Sequence, residues 1–159
     1  KTFQLLTQVS GRAGRHELHG EVVIQSYDPD HYSIQYATKH DYKRFYETEM
    51  KMRKRYAYPP FYFLSLITIS HPEMMNAFTV SDKITSYLER QLSSEAVILG
   101  PAASAIPRIK DRYRFQCMIK YKNEPNLLKT LRQILHQYAD ELGNGQLQIA
   151  IDQNPQMVM

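Results

Sequence analysis

Hydrophobic and polar positions change period several times along the chain, and each change predicts an element. Residues 3–10 read as the end of a helix, followed by a glycine-punctuated loop over 11–20. The β-rich run Gly20-Glu21-Val22-Val23-Ile24-Gln25-Ser26-Tyr27 has strand length and predicts a strand. Asp28-Pro29 offers an N-cap and then proline at the first helical position, so a helix is expected to begin there. Asp41 opens a longer helix running to about Arg55, with Tyr42, Phe45 and Tyr46 spaced for one face.

Tyr58-Pro59-Pro60-Phe61 ends that helix, because neither proline can continue it and the residue before a proline is pushed to extended geometry. The main boundary falls here, giving three segments: 1–40, a linking segment 41–60, and 61–159. Residues 61–70 predict a strand, and 71–92 a helix carrying Ala77, Val80, Ile84, Leu88 and Leu92 on one side. Residues 96–99 form a short strand closed by Gly100-Pro101, 102–111 a loop, and 112–121 a long strand of strict alternation. Pro125 leads into a helical stripe of Leu127, Leu128, Leu131, Leu135, Tyr138 and Leu142 that ends at Gly143, and 146–152 alternates again. The order β-α-β-β-α-β is the split βαβ arrangement: an α+β fold with an antiparallel sheet and two helices on one face.

Alternation divides the long strand. Tyr113, Phe115, Cys117, Ile119 and Tyr121 share the face expected to pack under the helices, which makes Cys117 a buried, inert thiol. Arg112, Arg114, Gln116, Met118 and Lys120 share the other face, expected to be open, with Arg108 and Lys110 leading into it. Cations in a row on an open sheet suit phosphate contacts, which give affinity without reading base sequence. The same row is also what a solvated outer face looks like.

Charge distribution supports a polyanion-facing reading more than charge sum does. The net charge is only +4, yet residues 39–56 hold seven Lys or Arg against three acids, and 100–123 hold six against Asp111 alone. The first cluster, Lys51, Arg53, Lys54 and Arg55, ends the linking helix, where cations also suit the helix C-terminus. Tyr56, Tyr58 and Phe61 beside it read as an inter-domain joint, with those cations as secondary phosphate contacts. One cysteine allows no internal disulfide and no cysteine-rich zinc site, which fits a reducing compartment. The six histidines lack ligand spacing, so no metal site is expected. No apolar run approaches membrane-spanning length, and the start at Lys1, without Met or a signal-peptide layout, reads as a cut.

Gln8-Val9-Ser10-Gly11-Arg12-Ala13-Gly14-Arg15 resembles motif VI of superfamily 2 helicases. That chemistry needs guanidinium groups, which stay charged and bind phosphate oxygens in pairs, next to glycines that let the backbone approach closely. By this resemblance Arg15 is the arginine finger, Arg12 the second phosphate contact, and Gln8 a nucleotide contact or a link toward DNA. The chain has no G-x-x-x-x-G-K-[ST] and no acidic pair of Walker B type. Alone it is therefore expected to hydrolyse no ATP.

Further strings narrow the resemblance. Tyr58-Pro59-Pro60-Phe61, Leu99-Gly100-Pro101, Tyr113-Arg114-Phe115-Gln116 with Ile119-Lys120, and Ile151-Asp152-x-Asn154-Pro155 look like the tail of the primosomal protein N′ (PriA) family. Gly20 to Gln25 is similar to that family's last motor-lobe strand, so 1–40 would be a remnant of a RecA-like lobe. Ser10 departs from the small residue such as alanine expected there. The resemblance implies an ATP-dependent 3′-to-5′ DNA helicase that recognises stalled or branched forks and promotes primosome assembly in replication restart. It implies ATP and Mg in the intact protein, and zinc in an insertion that this chain lacks. Implied partners are branched or forked DNA, the acidic tail of single-stranded DNA-binding protein and other primosome proteins. The implied location is the bacterial cytoplasm, nucleoid-associated, with no membrane partner. Two other readings stay open: a self-contained ferredoxin-like module binding RNA or DNA, and a protein-interaction domain.

Overall fold

A computed structural model describes residues 1–13 and 20–155 and divides into two units, Lys1–Tyr56 and Ala57–Met159. The first holds helices α1 (Thr2–Ser10), α2 (Tyr32–Thr38) and α3 (Tyr42–Arg55). Asp41 starts α3 as expected, its carboxylate accepting from the Arg44 amide at 3.0 Å. The linking helix packs within this unit: buried Phe3 of α1 stacks on Phe45 of α3, centroids 4.2 Å apart.

Two expectations for this unit are corrected. The run 20–27 is not a strand but an unpaired stretch with Val23 exposed. β-branched residues favour extended backbone, yet a strand also needs a partner edge, and the described residues of this unit supply none. The helix expected at Asp28-Pro29 begins at Tyr32. Residues 28–31 form a turn in which the His31 amide donates to the Asp28 carbonyl at 3.3 Å. His31 then caps the helix, its ring nitrogen accepting from the Ser33 amide at 3.2 Å.

The second unit runs β1 (Phe63–His71), α4 (Met74–Gln91), β2 (Val97–Ile109), β3 (Arg112–Tyr121), α5 (Leu127–Gln137), α6 (Ala139–Gly143) and β4 (Gln148–Gln153). The sheet order is β2-β3-β1-β4, every neighbouring pair antiparallel. Because β3 lies between β1 and β2, the first βαβ unit is split, as the element order predicted. The helix face of the sheet carries Ile67, Ile69, Cys117 and Ile119, packed in one buried cluster with Ile84 and Leu88 of α4 and Leu131 and Ile134 of α5. Burial pushes the Cys117 thiol up to about 11, against a hydrogen bond from Thr85, with nearby Glu89 adding to the rise.

Three details differ from the sequence reading. Residues 102–111 are mostly strand: β2 continues past Gly100-Pro101 to Ile109, paired to β3 at Ala102↔Gln116, Ala103↔Phe115, Arg108↔Tyr113 and Ile109↔Arg112. It is an edge strand, where Pro101 and Pro107 cost no ladder bond and two bulges absorb the irregular spacing. The stripe over 127–142 splits at Tyr138 into two helices, with Leu128 and Leu135 exposed and Ile134 buried instead. Among the described residues no helix is long and apolar enough to cross a membrane.

Candidate nucleic-acid interface

The two faces of β3 divide as alternation required, but the second face is not open along its length. From Gln116 to Lys120 it is covered: Met118 clusters with Leu64 and Leu66 beneath Tyr58. Lys120 is only 8% exposed, its ammonium 4.0 Å from the centroid of the Tyr58 ring. The expectation that Lys120 lines an open cationic surface is corrected. Its stem packs as apolar surface and its charge rests on an aromatic face.

Arg112 is also engaged, its guanidinium donating to the carbonyls of Ser70 at 3.1 Å, Gly145 at 3.3 Å and Gln146. It ties the start of β3 to the end of β1 and to the turn before β4. Exposed cations remain around the β2–β3 turn. Lys110 lies in the turn itself and is exposed. Arg108 is exposed, stacked over Tyr113 at 5.0 Å and paired with Asp111 at 3.1 Å. Arg114 is partly exposed opposite the second bulge. Of the five cations predicted on this strand and its approach, the structure therefore gathers Arg108, Lys110 and Arg114 at one end of the sheet.

The basic end of α3 is likewise mixed. Lys51, Lys54 and Arg55 are exposed, Arg55 lying 5.7 Å from the Tyr56 ring. Arg53 pairs with Glu49 at 2.7 Å, and Glu49 also accepts from the Tyr32 hydroxyl. Burial raises the Glu49 carboxyl, but the hydrogen bonds from Tyr32 and Arg53 and the Arg53 charge outweigh it and hold it below its ordinary range. Glu49, held by Arg53, thus braces α2 against α3 within the first unit.

Of the motif VI-like residues, Gln8 is exposed on α1 and lines an open cleft of about 620 Å³ with Phe3, Tyr42 and Phe45. Arg12 is exposed in the turn after α1, its amide donating to the Val9 carbonyl at 3.1 Å. Among the described residues no carboxylate pairs with it. Gly14 and Arg15 lie outside the described residues. No group of three or more His, Cys, Asp or Glu among the described residues is placed to hold a metal.

A family model described as the primosomal protein N C-terminal domain matches residues 54–156. The chain belongs to the primosomal protein N (PriA) family. It is 53% identical over 159 residues to replication restart protein PriA of Bacillus subtilis, covering 100% of this chain and 20% of that protein. It is 40% identical over 129 residues to replication restart protein PriA of Synechocystis, covering 81% and 15%. The protein of that name from Haemophilus influenzae is 29% identical over 153 residues, covering 96% and 21%. The chain thus spans about a fifth of the length of these relatives.

Several residues in the strings that carried the resemblance have structural work. Gly100 sits at φ 120°, and a Cβ there would come within 2.7 Å of the Gln116 carbonyl oxygen. Asn154 closes the sheet by donating to the Leu64 carbonyl at 2.7 Å and accepting from the Leu64 amide at 3.0 Å. Gln116 donates to the Thr68 hydroxyl at 3.1 Å, and Tyr58 covers Lys120. Sequence reasoning missed the bulges of β2 and the cover by Tyr58. The proline spacing hinted at the former, and no local signal marked the latter.

Proposed function

We propose that this chain provides the DNA-binding C-terminal domain of a replication-restart protein, joined to the end of its second RecA-like motor lobe. The observation that carries this reading is the similarity over the whole chain to proteins named for replication restart, together with exposed Arg108 and Lys110 and half-buried Arg114 at one end of the sheet. Cations held there meet phosphates without base readout, as a protein acting at any sequence requires. Lys51, Lys54 and Arg55 are secondary phosphate contacts.

In the intact protein the activity is that of an ATP-dependent 3′-to-5′ helicase which recognises stalled or branched forks and promotes primosome assembly. Gln8, Arg12 and Arg15 stand on the phosphate side of ATP. Exposed Arg12, with no paired carboxylate among the described residues, suits phosphate oxygens. When bound, ATP with Mg²⁺ supplies the transferable phosphoryl group, and the arginines of this chain stabilise its negative charge. The phosphate cradle and Mg²⁺ ligands belong to other parts of the motor, so the chain alone releases no phosphate from ATP. The acidic tail of single-stranded DNA-binding protein and other primosome proteins are its protein partners, and the nucleoid its location.

The test is binding of the chain to forked DNA, linear duplex, single-stranded DNA and an equivalent RNA across a salt series. The reading predicts binding to forked DNA with a log K against log[salt] slope of about −3 from the three hairpin contacts, steepening toward about −5 with the secondary contacts of Lys51, Lys54 and Arg55. Preference for RNA, or no salt-dependent DNA binding, overturns it and favours the ferredoxin-like RNA module or a protein-interaction domain.

A further inference from the structure

The β2–β3 hairpin carries apolar side chains where a simple phosphate-binding surface needs none. Between the pairs Ala103↔Phe115 and Arg108↔Tyr113, residues 104–107 of β2 stand opposite Arg114 alone. The surplus length bulges from the ladder. Ser104 is buried, whereas Ile106 is 59% exposed and Pro107 is exposed beside it. Ile109, 40% exposed, pairs with Arg112 just before the turn, beyond the end of β1 at His71↔Tyr113.

The tip is stiff. Arg112 fastens its base to three carbonyls of neighbouring segments, while Arg108 is held between Tyr113 and Asp111. The turn residues Lys110 and Asp111 both have positive φ, 48° and 58°. A glycine would adopt that backbone without strain, so two side chains are retained here against a conformational cost. Apolar Ile106, Pro107 and Ile109 are therefore exposed within a few residues of Arg108, Lys110 and Arg114, with Arg108 on the Tyr113 side of the hairpin and Ile109 on the Arg112 side.

We propose that this hairpin tip is a wedge for the branch point of DNA. Ile106 and Ile109 pack against the exposed face of the base pair at the junction, and Arg108, Lys110 and Arg114 hold the phosphates of the diverging strands. Charge complementarity selects a polyanion, and the apolar residues select a polyanion that also offers an apolar face. A linear duplex buries its base faces by stacking along its length; a branch exposes one beside phosphates of two strands. Apolar side chains entering base steps are an established device of DNA distortion. The inference rests on the DNA-binding reading above and adds the source of branch selectivity.

The test uses the full chain and two DNAs of equal length, a fork with 2-aminopurine at the junction and a linear duplex. The native chain is expected to bind the fork about tenfold more tightly than the duplex and to change the 2-aminopurine fluorescence as the apolar side chains cover the exposed face of the junction base pair. Ile106→Ser with Ile109→Ser, checked for unchanged thermal unfolding, should bind the duplex as before and lose both the preference and the fluorescence change. Ile106→Val with Ile109→Val should keep both. Full fork preference in the serine variant, or no fluorescence change with the native chain, overturns the wedge while leaving phosphate binding intact. Failure of the native chain to bind either DNA overturns the underlying reading as well.

Discussion

Lys120 and Arg114 stand on the same face of one strand, both basic and both read from alternation as part of one cationic row. Their fates differ. Lys120 lies under the Tyr58 ring and is 8% exposed, whereas Arg114 stays partly open opposite a bulge of the edge strand. Alternation assigns a face, but what covers that face is decided by segments distant in sequence. The middle of β3 thus serves the fold, and the hairpin end is the part that we propose meets DNA.

The largest expected effect comes from the bulge that lets β2 reach the hairpin. Gly100→Ala puts a Cβ within 2.7 Å of the Gln116 carbonyl at a positive φ and should cost about 3 kcal/mol in urea unfolding. Native stability in that variant would show that β2 does not need this close approach. Lys120→Ala should cost about 1 kcal/mol through the lost stem packing and the lost cation over Tyr58. A stability equal to the native chain would return Lys120 to the open surface and erase the contrast with Arg114.

A smaller effect tests the helix side of the same sheet. Burial raises the Glu124 carboxyl, but hydrogen bonds from the Ser93 hydroxyl, the Ser93 amide and the Asn126 amide outweigh it and hold it below its ordinary range. The amide bonds measure 2.9 and 3.3 Å. A carboxyl lowered on folding contributes fully above its unfolded value and loses that contribution as pH falls through its folded one. The gap in melting temperature between the native chain and Glu124→Gln should be widest near neutral pH and close in acid. A gap independent of pH would remove Glu124 as the tie between the end of α4 and the start of α5.

The parts of the fold that were legible in sequence are those with an unbroken period. Residues 112–121 alternate strictly, and the strand, its bounds and its buried set of Cys117 and Ile119 followed. Asp41 marked the start of α3 because a side-chain cap is a local event. Residues 102–111 were illegible as strand, since a bulge destroys period two and prolines on an edge look like those of a loop. The run 20–27 shows the converse: strand-like composition without a partner edge yields no strand in this structure. At the candidate site, Arg108 and Lys110 could be read from local charge. The engagement of Arg112 by Ser70, Gly145 and Gln146 could not, because those carbonyls meet it only after β1 and β4 are placed.

The central claim is that the hairpin end of the sheet, and not the middle of β3, meets DNA. The direct test is the salt dependence of forked-DNA binding by Arg108→Ala with Lys110→Ala, measured beside Lys120→Ala. The hairpin variant should flatten the slope of log K against log[salt] by about 2, near 0.9 for each lost phosphate contact, and the Lys120 variant should leave it unchanged. An unchanged slope in the hairpin variant, or a flattened one in Lys120→Ala, would contradict the account.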